Sequence, residues 1–89
     1  MPHDYRKELE QLLAQLKTER DDLNVRMHLA KAEVRDQWEA AEKQWQSFKQ
    51  TSEKVLTEID RTSSDVKQAL ILIAEELKAG YRRIREQLR

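Results

Sequence analysis

The sequence predicts an all-α protein: a long amphipathic helix plus a shorter C-terminal helix, in a coiled-coil or helical-bundle assembly. Three observations carry this. Apolar residues recur in steps of three and four along almost the whole chain. Gly and Pro occur once each, so few turns can be built. Cysteine is absent, so no disulfide can substitute for a packed core.

The stripe visits Leu9, Leu12, Leu16, Leu23, Met27, Ala30, Val34, Trp38, Ala41, Trp45, Phe48, Val55, Ile59, Val66, Leu70, Ile73, Leu77, Tyr81, Ile84 and Leu88. Arg20, Ser52 and Ser63 fill its gaps in phase. Such spacing is one face of an α-helix. Its mean period lies near 3.6, not the 3.5 of a strict heptad, which predicts a loosely supercoiled bundle over a two-stranded zipper.

The long helix is expected over residues 4–61 of a single unit spanning 1–89. It starts near His3 to Tyr5, with Asp4 as N-cap and Glu8 and Glu10 near the positive end of the helix dipole. The best break is Asp60-Arg61-Thr62-Ser63-Ser64-Asp65. Ser63 or Ser64 there can accept from the free N–H groups of a new first turn. The C-terminal amphipathic helix follows over 64–89. A softer second turn is placed at Thr18 to Asn24. Gly80 lies mid-pattern, where it costs about 1 kcal/mol relative to Ala. Since Tyr81, Ile84 and Leu88 resume the stripe, it reads as a residue permitting close packing.

Ordering costs on the order of 1–2 kcal/mol per residue, and burying a large apolar side chain returns about 1.5–3 kcal/mol. The stripe must therefore be covered. A hairpin at residue 62 has unequal arms, of about 58 and 25 residues, and leaves much of the long arm uncovered. That mismatch predicts a homo-oligomer, a dimer or tetramer. Its self-association core is Leu16, Leu23, Val34, Trp38, Trp45, Phe48, Val55, Ile59, Val66, Leu70, Ile73, Leu77 and Ile84. With both turns, arms of about 17, 38 and 25 residues make a monomer conceivable.

Little chemistry competes with this reading. Lys+Arg and Asp+Glu number 17 each, for zero net charge. Residues 1–65 hold 11 basic and 14 acidic residues, and residues 66–89 hold 6 and 3. This polarity suits antiparallel pairing. His3 follows Pro2, which has no amide proton to give up to a metal chelate. His28 flanks the stripe without a second ligand. Glu33, Asp36, Glu39 and Glu42, interleaved with Lys31, Arg35 and Lys43, read as a solvated i,i+3/i+4 face. No catalytic, metal or cofactor residue is expected. Trp38, Ala41, Trp45 and Phe48 read first as the bulky centre of the core and second as a docking surface.

The C-terminal segment gives the alternative. Ala69 to Ala74 widens the apolar face, and Lys78, Arg82, Arg83, Arg85 and Arg89 are its candidate membrane-facing cations. The competing reading is a core helix with basic residues at the dipole's negative end. Nucleic acid is not an expected partner of a neutral chain without a recognition motif. No apolar run approaches the roughly 20 residues of a membrane span, and a cytoplasmic location is expected.

Several stretches carry a family resemblance. Leu23-Asn24-Val25-Arg26, Ala30-Lys31-Ala32-Glu33-Val34-Arg35, Ser63-Ser64-Asp65-Val66 and Leu77-Lys78-Ala79-Gly80 together resemble small bacterial coiled-coil proteins, some labelled stress-response proteins. The chain departs from them at the break, where Gly and a following Trp are common, and in its basic tail. The resemblance implies a bacterial, cytoplasmic, non-enzymatic protein and transfers no site residue.

Overall fold

A computed structural model describes residues 4–88. It contains three α-helices: α1, Tyr5–Arg26; α2, Ala32–Thr57; and α3, Ser64–Gln87. One turn of 3-10 helix, Met27–Leu29, joins the first two. They run up, down and up, in a bundle 45 Å long and 21 by 18 Å across.

Two predicted caps are present. Asp4 Oδ1 accepts from the Lys7 N–H at 3.1 Å, and Ser63 Oγ accepts from the Val66 N–H at 3.3 Å. Each satisfies a first-turn donor that the helix itself cannot. The break before α3 falls where the hydroxyl cluster places it, although α2 already ends at Thr57. Gly80 lies inside α3, as expected.

The long helix over 4–61 is corrected. It is two helices, and the corner is not at Thr18 to Asn24, through which α1 runs unbroken. The chain turns instead at residues 27–31, where Ala30 and Lys31 take extended ψ values of 153° and 156°. Arg35 makes the corner possible. Its Nε and Nη2 donate to the carbonyls of Met27 and His28, at 3.2 and 2.9 Å. Both carbonyls lie where α1 gives out; that of Met27 also accepts from the Ala30 N–H at 3.1 Å, and the side chain from the next helix adds a donor to each.

With the corner there, the arms are 22, 26 and 24 residues. Three arms of similar length cover one another's stripes within a single chain. The core runs from Leu9, Leu12, Leu16 and Leu23 through Trp38, Trp45, Phe48 and Val55 to Leu70, Ala74, Leu77, Tyr81 and Ile84. α3 packs extensively on both other helices, while α1 and α2 touch each other less. Trp38 and Tyr81 pack with ring centroids 5.9 Å apart, and Trp45 and Phe48 at 6.3 Å. These distances suit tilted aromatic pairs.

Candidate functional site

The expected self-association residues separate into two groups. Leu16, Leu23, Val34, Trp38, Trp45, Phe48, Val55, Ile59, Leu70, Leu77 and Ile84 are all buried inside one chain. They form the bundle's own core, so the arm mismatch that called for a second copy is gone. Val66 and Ile73 are different: they are 45% and 40% exposed. α3 is rotated so that Ala74, wholly buried, takes the inward place expected of Ile73. A methyl group there lets the helices approach, and Ile73 moves to the flank facing α2. Leu72, outside the stripe, is 65% exposed.

The candidate cations also divide. Arg82, Arg83 and Arg85 are exposed, Lys78 is half-buried, and Arg89 lies outside the described residues. Arg85 Nη2 approaches Asp22 on α1 at 3.7 Å. Of the Ala69 to Ala74 segment expected to widen the apolar face beside them, Leu70 and Ala74 are buried in the core, Ile71 is half-buried, and Ala69, Leu72 and Ile73 stay exposed. Acidic Glu75 and Glu76 follow exposed Leu72 and Ile73 after one residue, Ala74.

Two grooves flank the exposed apolar residues. One lies between α2 and α3, lined by Lys43, Gln44, Ser47, Phe48, Thr51, Leu70, Ile73 and Glu76, with a volume of about 420 Å³. A second, of about 590 Å³, lies at the corner end, lined by Leu29, Ala30, Val34 and Leu88 with Arg26, Lys31, Glu33 and Gln87. Val25 and Leu29, at that end, are 68% and 83% exposed.

The carboxylate cluster does not act as a unit. Glu33, Asp36 and Glu39 are exposed, whereas Glu42 is half-buried. Arg20 Nε and Nη2 donate to Glu42 Oε1 and Oε2, each at 2.7 Å, clamping α1 to α2. Arg20 also donates to Asp21 at 3.1 Å. Lys17 first and Arg20 second hold the Asp21 carboxyl below its usual range. Burial pushes the Tyr81 phenol up, and the Glu42 carboxylate adds to that. The clamp has one signal in the sequence: Arg20 sits in phase on the apolar stripe. His28 stands in the 3-10 turn, and His3 lies outside the described residues. Among the described residues no group of three or more His, Cys, Asp or Glu could hold a metal ion, and no helix is long and apolar enough to cross a membrane.

Comparison with protein-family models, with curated proteins and with solved structures finds no match.

Proposed function

We propose that this chain is a non-enzymatic, self-associating helical-bundle protein with a structural or adaptor role. One observation supports it above the others. α3 spends its inner face on a complete core and still exposes Val66, Leu72 and Ile73. Exposed apolar side chains gathered on one helix favour a protein partner. Some of the charges on α1 are spent on holding helices, as in Arg20–Glu42, or on exposed neighbours one turn apart, as in Lys17–Asp21 and Arg26–Asp22. The likeness to small bacterial coiled-coil proteins adds a cytoplasmic, stress-linked setting to the proposal.

Light scattering after size exclusion, across a dilution series, tests it. The expected result is a mass above the 10.7 kDa of one chain, falling on dilution. A mass of one chain at every concentration contradicts self-association.

A second reading has its own observation. Val25 and Leu29 protrude at the corner end beside Arg26 and Lys31. An apolar tip with nearby cations suits an anionic membrane surface. This moves the alternative from the C-terminal helix to the corner. Co-sedimentation with phosphatidylglycerol vesicles, lost in Leu29→Glu, is the expected result of that reading. A parent protein that stays in the supernatant rejects it.

A further inference from the structure

We infer that the α2/α3 groove is the face through which two copies of this chain meet, related by a two-fold axis running along the groove. This rests on the self-association reading and adds its surface.

α2 borders the groove with Gln37, Ala40, Gln44, Ser47 and Thr51, spaced three or four apart and all exposed. None of these five is charged, in a chain of which 38% is, and Lys43 is the one α2 cation among the groove's lining residues. These five span some 20 Å along the helix. Depletion of charge marks the centre of protein interfaces. α3 answers with Ile73 and, further along, Gly80. Towards the corner end the groove continues past Ala40, Ala41 and Gly80, with a further volume of about 270 Å³.

Gly80 sharpens the point. A Cβ built there would meet only the Arg83 guanidinium, at 3.9 Å. Nothing inside the chain requires a glycine, yet its helix bears the cost. A helix laid into the groove passes over this position and benefits from the missing side chain.

Charge selects a second copy as the occupant. Lys43 on α2 and Glu76 on α3 line the same opening from opposite sides. Among the described residues neither joins an ion pair. A two-fold axis along the groove lays α2 of one copy over α3 of the other. Lys43 of each copy then faces Glu76 of its mate, as a self-complementary interface requires. Every neighbouring pair among the four helices is antiparallel, the packing of an up-and-down four-helix bundle.

The test compares solution mass for the parent protein and for Ile73→Glu, Ala40→Glu, Lys43→Glu, Glu76→Lys and the Lys43→Glu/Glu76→Lys double variant. Circular dichroism reads helicity in each. Ile73→Glu and Ala40→Glu keep the helicity and weaken the dimer by at least about tenfold, since each buries a charge at the interface. Each single charge reversal weakens it, and the double variant regains it. Leu29→Glu, at the corner end, leaves the mass unchanged. A parent protein that is monomeric throughout overturns self-association itself. A dimer that survives both Ile73→Glu and Ala40→Glu, or that Leu29→Glu dissociates, overturns the groove while self-association stands. A double variant no better than the single reversals overturns the two-fold arrangement.

Discussion

Arg20 and Glu42, 22 positions apart in the chain, meet through two parallel hydrogen bonds of 2.7 Å that tie α1 to α2. Their side chains are 25% and 23% exposed, so water screens the pair only in part. The two helices have the sparsest packing of the three pairs, which leaves much of their registration to this clamp. Fork-to-fork pairs of this kind are stronger than single charged contacts. Arg20→Ala should cost about 1–3 kcal/mol in denaturant unfolding. A cycle with Glu42→Ala separates the coupling from lost packing, and a coupling near zero would show the pair to be ornamental.

Tyr81 and Ser52 carry buried hydroxyls without a hydrogen-bond partner among the described residues. A buried polar group left unpaired costs free energy that its apolar replacement does not. Tyr81→Phe and Ser52→Ala should each hold stability or raise it by about 1 kcal/mol. A loss of more than about 2 kcal/mol in either would mean that the hydroxyl is satisfied in solution.

The same phenol predicts an alkaline limit. The folded-state pKa of Tyr81 is raised, chiefly by burial. Stability from this group is therefore full below the unfolded value, near 10, and is lost as pH rises towards the folded value. Unfolding free energy should fall as pH increases above about 10, and Tyr81→Phe should flatten that fall. Asp21 works in the opposite sense. Its carboxyl is lowered, first by Lys17 and then by Arg20. Its contribution is present above the unfolded value, near 3.9, and is lost as pH falls through the folded one. Asp21→Asn should reduce the slope of acid unfolding.

Gly80→Ala should stabilise the single bundle by about 1 kcal/mol, because Ala is the better helix former and the added methyl meets only a guanidinium at 3.9 Å. Thermal melts followed by circular dichroism would show the gain. A melting point below the parent's would mean that the helix needs the glycine for its own packing.

Most of the fold could be read from residues whose local chemistry agrees with the final packing. Asp4 and Ser63 announce helix starts because short oxygen side chains serve first-turn amides wherever the chain later goes. Trp38, Trp45 and Phe48 announce core because their spacing leaves them one side to face. The corner at 27–31 could not be read this way. It contains neither Gly nor Pro, and the stripe passes through Leu23, Met27, Ala30 and Val34 without losing phase. What stabilises it is Arg35 reaching back to carbonyls one helix earlier, a contact that exists only once the chain has turned. Ile73 and Ala74 show a second limit. Adjacent residues on a helix differ by 100°, and which of them faces inward depends on how closely α1 and α2 stand. The partner surface is the least legible part of the sequence, because a stripe that covers itself within one chain moves any partner contact to the outer flanks of the helices.

Spin labels at Lys7 and Glu58 test the folded-back bundle most directly, through the distance between them by double electron–electron resonance, in protein diluted with unlabelled chains. α1 begins and α2 ends at the same end of the molecule, so the separation should lie near the 21 Å width and well inside the 45 Å length. A continuous helix over 4–61 would hold the two labels about 77 Å apart at 1.5 Å per residue. A distance of that size would contradict the corner at 27–31, and with it the covering of the stripe inside one chain.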